Sequence, residues 1–294
     1  PFFPAPPMTA PAFLDHFSAL APAYDAVMCD VWGVVHNGVA AFPEACDALA
    51  QFRAAGGTVM RITNAPRPGQ VVTRLLDRLA VPRAAYDDIV SSGDVTRAEI
   101  AARPQRRLFH IGPERDLPIF TGLDVQFVSL EAADYAVCTG LRDDESETPE
   151  HYRELLSAMR ERRLFMLCAN PDLVVERGDK RVYCAGAIAD LYAELGGEVL
   201  YAGKPHPPIY ARALDRIAAL RGSRPPLSRL LAIGDSVRTD VKGANGFGID
   251  CLFVSGGIHA EELGGRQRPD PAAILQVFAA AEAAPKAVMQ RLRW

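Results

Sequence analysis

Ala26-Val-Met-Cys-Asp30-Val-Trp32-Gly33-Val-Val-His36-Asn-Gly38 is an apolar run that ends on a carboxylate and reaches a glycine three residues later. Such a run reads as a strand buried on both faces of a parallel sheet, and ligands of open α/β sheets gather just beyond the carboxyl ends of their strands. Asp30 therefore stands where chemistry usually happens. Alone, an Asp after a strand is equally well explained as a turn former or helix cap, so its meaning depends on the residues that end the other strands.

Working outward, strands and helices alternate. After Ala26–Cys29, a helix is predicted over Pro43–Ala55, opened by proline and stopped by Gly56-Gly57, then a strand over Thr58–Ile62, a helix over Pro66–Ala80, a strand over Asp88–Ser92 and a helix over Val95–Ala102. This alternation predicts right-handed βαβ units and a parallel sheet. A boundary is expected near Arg103–Gln105. Beyond it a second α/β pattern begins, with strands at Arg107–Ile111, Val125–Val128, Tyr135–Thr139 and Phe165–Ala169 and helices at Pro149–Arg162 and Ala187–Leu195. The first pattern is expected to resume with a strand at Glu198–Ala202, a helix at Pro208–Leu220, and strands at Leu230–Ile233 and Cys251–Val254. The expected organisation is a tail with one short helix (1–23), a core domain (24–104 and 200–294) and an inserted domain (105–199). Pro1–Pro11 reads as a proline-rich tail, Ala12–Ala21 as the short amphipathic helix, and the basic end MQRLRW as a docked tail.

Four segments come directly after predicted strands: Asp30-Val-Trp32-Gly33, Thr63-Asn64, Gly203-Lys204-Pro205, and Gly234-Asp235 with Asp240. Each alone has a structural explanation as a turn, a solvated loop or a cap. Together, on parallel strands, they would bring two or three carboxylates, a hydroxyl, an amide and an ammonium to one edge of a sheet, which suits phosphoryl transfer. An aspartate nucleophile attacking an anionic phosphate needs a divalent cation between them, and Mg²⁺ takes one or two carboxylates plus substrate oxygens and waters. Asp30 and Asp235 would supply the carboxylates. Lys204 would neutralise a phosphate oxygen, while the Thr63 hydroxyl, the Asn64 amide and the backbone amides around Trp32-Gly33 would donate to it.

At these residues the chain resembles the haloacid dehalogenase-like (HAD) hydrolase superfamily, whose four motifs match Asp30, Thr63, Lys204, and Gly234-Asp235 with Asp240. The long insertion between Thr63 and Lys204, with DxWGVVxxG, TNAPRP, CANPD and AGKPHPPIY, is similar to class IIA, the group of NagD-type nucleotide phosphatases and pyridoxal phosphate phosphatases. The resemblance runs from about Tyr24 to the last strand. It implies a Rossmann-like core, a C2-type cap, Mg²⁺ and an aspartyl-phosphate at Asp30. It also implies metal ligation by Asp30, the Trp32 carbonyl and Asp235, with Asp240 behind them.

One position departs from that pattern. Phosphatases of this superfamily carry a second aspartate two residues after the nucleophile as general acid and base, and here it is Trp32. General acid–base assistance is worth ~10²–10⁴-fold, and an indole cannot give it. Three readings stay open. The enzyme is a phosphatase that uses a good leaving group or borrows an acid such as His36; it cleaves a different bond, C–P or C–halogen; or it is a phospho-ligand binding or regulatory protein with little turnover.

Specificity is expected from polar loops of the insertion. Asn170-Pro171-Asp172 and Arg177-Gly178 are candidates, with turn chemistry as the alternative for the first; Arg67 could meet a second anionic group or merely start its helix. Asp143–Glu147 reads as a solvated acidic loop, and His206 and His259 as helix-entry and loop residues. Net charge of −4 without a long Lys/Arg run gives no footprint for nucleic acid or an anionic membrane. No apolar run approaches the roughly 20 residues of a membrane span. With scattered cysteines read as reduced core thiols, a cytoplasmic protein with a small phosphorylated substrate is expected. A homodimer through exposed cap faces is compatible with this.

Overall fold

The computed structural model describes residues 11–177, 180–257 and 270–294. The expectations for residues 1–10, the Arg177 side chain, Gly178 and His259 fall outside what is described. Four strands come first: β1 (Ala12–Phe13), β2 (Ala26–Cys29), β3 (Thr58–Thr63) and β4 (Asp88–Ser91). The insertion contributes β5 (Arg107–Ile111), β6 (Gln126–Phe127), β7 (Tyr135–Cys138), β8 (Met166–Cys168), the antiparallel pair β9 (Val174–Arg177) and β10 (Lys180–Tyr183), and β11 (Val199–Tyr201). The chain ends with β12 (Leu230–Gly234), β13 (Asp250–Val254) and β14 (Ala287–Met289).

Two parallel sheets result, a seven-stranded one in the order β1-β14-β13-β12-β2-β3-β4 and a five-stranded one in the order β11-β8-β7-β5-β6. β2 lies inside the larger sheet, between β12 and β3. Its side chains alternate between two apolar layers: Met28, Met60, Ala232 and Phe253 face the layer under the helix Pro207–Arg221, while Val27, Cys29, Val59 and Ile233 face Leu49 and Phe52 of the helix Pro43–Ala54. Burial on both faces is why these strands read as unbroken apolar runs. In the second sheet one face joins the first layer through Leu108, Val137 and Leu167, and the other packs Cys138 and Met166 against Leu156, Met159 and Ile188. The helix caps obey local chemistry. Ser91 accepts from the Asp94 amide and Asp94 returns the bond to the Ser91 amide, opening Ser92–Ala102; Pro207 begins the next long helix and Gly222, at φ +74°, ends it.

Three expectations are corrected. The strand at 198–202 does not resume the core sheet, because Val199–Tyr201 pairs with Met166–Cys168 at the edge of the second sheet. An apolar run carries no label for the sheet it joins, and only the pairing partner decides it. Residues 200 and 201 therefore lie in the second sheet rather than the core. Ala12–Ala21 is not one amphipathic helix: it gives the edge strand β1 and a short turn of helix at Phe17–Ala19, with a second turn at Ala21–Ala23. The docked C-terminal tail is more than docked, since Ala287–Met289 enters the sheet between β13 and β1, and Trp294 meets Phe17 edge-on at 5.9 Å.

Candidate active site

The carboxyl ends of β2, β3 and β12 place Asp30, Thr63-Asn64 and Asp235 along one edge of the central sheet. Lys204 arrives by another route. It comes after β11, so the sequence expectation of four strand ends from one sheet becomes three strand ends and one connection from the second sheet. The convergence itself is as expected. Lys204 is almost fully buried, and its Nζ lies 2.7 Å from Asp30 Oδ1 and 2.7 Å from Asp240 Oδ1. Carboxylate oxygens of Asp30, Asp235 and Asp240 all lie within 4.8 Å of one another.

Glycines make this proximity feasible. Gly33 sits at φ +81°, and a Cβ there would stand 2.0 Å from Asp235 Oδ2. Gly257 is equally tight against the same oxygen, and a Cβ at Gly234 would fall 2.0 Å from Asp240 Cγ. Asp240 is held from the other side by the Ser236 amide, which donates to its Oδ2 at 3.1 Å. A non-glycine residue forced into such a backbone region costs about 1–3 kcal/mol, and here the added methyl would also displace Asp235. Gly33→Ala is thus expected to raise the divalent-cation concentration for half-maximal activity at least about tenfold, measured by metal titration of activity.

Burial and the Lys204 ammonium act against each other on the carboxyls of this cluster. Burial raises the carboxyl of Asp30, with the Lys204 ammonium acting against it. Burial likewise pushes Asp240 up to about 6, again opposed by Lys204 and reinforced by Asp30. Lys204 is pulled down by burial, but Asp240 and then Asp30 outweigh that and hold it well above its ordinary value, so it is an ammonium. Lys204 is thus a cation between Asp30 and Asp240, with Asp235 close by. An all-oxygen, acidic donor set of this kind fits a hard divalent cation such as Mg²⁺.

A cavity of about 980 Å³ opens over the cluster, bordered by Asp30, Trp32, Gly33, Thr63, Asn64, Asp172, Lys204 and Asp235. Thr63 accepts at Oγ1 from the Ala65 amide at 3.3 Å, and its hydroxyl proton has no acceptor among the described residues. Asn64, expected to donate to phosphate, is committed to protein: Oδ1 accepts from the Lys204 amide at 2.7 Å, and Nδ2 donates to the Lys204 carbonyl at 3.0 Å and to Asp172 Oδ1 at 2.9 Å. The Gly33 amide donates to the His36 carbonyl at 2.8 Å, which removes it from the expected donors to a bound anion.

Two expected contacts lie elsewhere. Arg67 pairs with buried Asp116 at 3.0 Å and does not border the cavity, so it ties the helix after β3 to the insertion. Asn170 accepts at Oδ1 from the Asp172 amide at 3.1 Å, which is the turn alternative, and leaves only Asp172 on the cavity wall. In the Asp143–Glu147 loop Asp143 accepts from Ser146 and the Glu145 amide, while Asp144 pairs with Arg115, Glu145 with Lys180, and Glu147 accepts from the Tyr152 hydroxyl. His206 stacks on Tyr201 at 4.8 Å.

The Trp32 indole lies on the cavity wall, edge-on to His36 at 5.2 Å and close enough to Gly38 that a Cβ there would come within 2.5 Å of it. His36 is not a substitute acid. It is buried behind the loop and accepts at Nδ1 from the Gly38 amide at 2.9 Å, while burial pulls it down to about 4, leaving it neutral. Sequence reasoning missed the apolar side of the cavity: Val39 and Phe42 from the loop after β2, Leu173 with Val174 and Val175 of β9, and Leu292 from the end of the chain.

A parallel α/β sheet with an acidic cluster at its strand ends, and a cavity over it bordered also by residues of a second α/β unit inserted between the β3 and Lys204 motifs, defines the class. The Haloacid dehalogenase-like hydrolase description matches residues 27–126, and a second, HAD-hydrolase-like, matches 201–281. A hydrolase of the haloacid dehalogenase-like family from Brucella suis 1330 is 49% identical, with a TM-score of 0.85 over 95% of this chain and 100% of that one. Haloacid dehalogenase-like hydrolase domain-containing protein 2 of Mus musculus is 27% identical over 242 residues, 80% of this chain and 85% of its own. A structure described as a possible sugar phosphatase of the HAD superfamily, from Cytophaga hutchinsonii, shares the fold at 20% identity and a TM-score of 0.75, over 95% and 98% of the two chains. The chain belongs to the haloacid dehalogenase-like hydrolase family.

Proposed function

We propose that this protein is a Mg²⁺-dependent phosphatase of a small phosphorylated metabolite, acting through covalent attack by Asp30. The observation that carries the reading is the buried Asp30–Lys204–Asp240 array beside Asp235 at the floor of a ligand-sized cavity. In this reading Asp30 attacks phosphorus with the carboxylate oxygen that Lys204 does not hold. Lys204 fixes the attacking group and offsets charge on a phosphate oxygen, and the Thr63 hydroxyl donates to another. Asp235, Asp30 and the Trp32 carbonyl would hold the metal, with Asp240 behind; when bound, the ion neutralises the repulsion between a carboxylate and a phosphate dianion.

Residues 24–104 and 202–294 would form the core and 105–201 the cap, in keeping with the pairing of Val199–Tyr201. Leu173, Val174 and Val175 would bring an apolar cap wall to the organic part of the substrate. All six cysteines are free and buried, which accords with a reducing, cytoplasmic setting. A homodimer is compatible with the reading and not required by it. Among the described residues no helix is long and apolar enough to cross a membrane.

The test is phosphate release from phosphorylated sugars, nucleotides, pyridoxal phosphate and p-nitrophenyl phosphate, with Mg²⁺ and after chelation. Activity is expected with Mg²⁺, falling at least about a hundredfold on chelation and returning on re-addition. Turnover that survives chelation would remove the metal from the mechanism. The Trp32 substitution favours a second reading, a phospho-ligand binding protein; absence of turnover across the panel, with phosphate esters still bound, would establish it.

A further inference from the structure

If the phosphatase reading holds, the site needs a group that protonates the departing oxygen and later deprotonates water. Trp32 cannot do this, and His36 is buried, neutral and does not border the cavity. Asp30 and Asp235 are engaged in the metal cradle. Among the described residues two other carboxylates border the cavity, Glu44 and Asp172. Glu44 is exposed near the start of its helix. Asp172 is different. Its Oδ1 accepts from Asn64 Nδ2 at 2.9 Å, and the same Asn64 amide grips both backbone groups of Lys204, whose Nζ lies on Asp30. A charge on Asp172, when it is ionised, acts on Asp30 and raises its carboxyl.

We propose that Asp172, carried by the insertion, is the general acid and base of this enzyme, in place of the carboxylate that Trp32 displaces. The loop that holds it is built to a fixed geometry. The Asp172 amide donates to Asn170 Oδ1 at 3.1 Å, its carbonyl accepts from the Gly186 amide at 3.1 Å, and a Cβ on Gly186 would stand 2.3 Å from the Pro171 carbonyl oxygen. One oxygen, Oδ1, is occupied by Asn64; Oδ2 has no hydrogen-bond partner among the described residues and lies on a side chain that borders the cavity. Burial raises this carboxyl, with the Lys204 charge and the Asn64 hydrogen bond acting the other way, which favours a proton on it at the start of the reaction.

The steps balance. Asp30 forms a bond to phosphorus as the bond to the ester oxygen breaks, and the Asp172 proton goes to that oxygen, giving a neutral alcohol, an aspartyl-phosphate and the Asp172 carboxylate. Water then attacks phosphorus, its proton returns to Asp172, and the bond to Asp30 breaks, releasing hydrogen phosphate. A carboxylate on the insertion also makes proton transfer depend on that segment lying over the core, so a substrate is activated only where it is enclosed.

The experiment is Asp172→Asn, nearly isosteric and able to keep the acceptor for Asn64, assayed against wild type with an alkyl phosphate and with p-nitrophenyl phosphate. For the alkyl ester kcat is expected to fall about 10²–10⁴-fold. p-Nitrophenolate needs no proton to leave, so the variant should instead give a rapid burst of p-nitrophenolate followed by slow turnover, as the phosphoenzyme waits for a base. Adding Trp32→Asp to Asp172→Asn should restore alkyl-ester turnover and abolish the burst. Equal losses on both esters with no burst, or unchanged kinetics, would overturn the assignment while leaving the phosphatase reading intact. No turnover of any phosphate ester by the wild type would overturn both.

Discussion

Asp30→Asn is expected to lower phosphate release at least about a thousandfold, the scale on which removal of a covalent nucleophile acts, while leaving the protein folded. The amide occupies the volume of the carboxylate, so no cavity opens at the end of β2. Lys204 can still donate to the remaining carbonyl oxygen and keeps Asp240 at 2.7 Å as its counter-ion. Burial already disfavours the charged form of Asp30, so exchanging it for a neutral group relieves a desolvation cost, and the thermal midpoint should shift by only a few degrees in either direction. The combination separates chemistry from architecture. An Asp30→Asn variant that turned over at more than a few per cent of the wild-type rate would rule out nucleophilic attack by this residue.

How much of this site is legible in the sequence depends on the physics of each position. The β2, β3 and β12 strands are legible because burial on both faces leaves continuous apolar runs, and the polar residues that end them mark the sheet edge where Asp30, Thr63 and Asp235 stand. Glycine at 33 and 234 is legible for a related reason, since only a missing Cβ admits a carboxylate so close. Partner choice is not. Val199–Tyr201 has the same apolar character as a core strand yet pairs with β8, and Ala287–Met289 sits in a segment whose basic end suggests a tail. Turn residues are ambiguous in the same way: in Asn170-Pro171-Asp172 the first side chain closes the turn and the last borders the cavity, and both residue types are at home in either role.

Arg61 is legible only as one more residue of a strand. It is fully buried, donating to Cys29 Sγ at 3.0 Å and lying over the Tyr86 ring at 5.9 Å, and no carboxylate among the described residues pairs with it. Its burial depends on the depth of packing behind β2 and β3, which composition and period do not encode. The same holds for Asn64: an amide after a strand suggests ligand contact, but the fold uses both its ends to fasten the Lys204 backbone and Asp172.

Lys204→Met should be among the most destabilising single changes in this chain. Lys204 is nearly inaccessible and bonds two buried carboxylates at 2.7 Å each. Methionine fills similar volume, so the loss is electrostatic: Asp30 and Asp240 remain buried, close to each other and to Asp235, with no ammonium between them. Removing one member of a buried ion array costs about 3–5 kcal/mol, which corresponds to a fall of roughly ten degrees in thermal midpoint for a domain of this size. The sign of its pH dependence is set by the carboxyls. Asp240 stands at about 6 in the folded protein against 3.8 for the ordinary value even with Lys204 present. A group with a raised folded-state value costs no stability when protonated in both states and costs progressively more as pH rises from the ordinary value to the folded one. Without the ammonium that upper limit moves higher, so the deficit of Lys204→Met relative to wild type should be largest above about pH 6 and shrink as pH falls toward 5. Added Mg²⁺ should recover more stability in the variant than in the wild type, because a cation bound among Asp30, Asp235 and Asp240 relieves a larger repulsion there. Thermal unfolding at pH 7.5 and pH 5.5, with and without Mg²⁺, measures all three effects. A variant that melts with the wild type at pH 7.5 would mean that the ammonium is not what holds these buried carboxylates together.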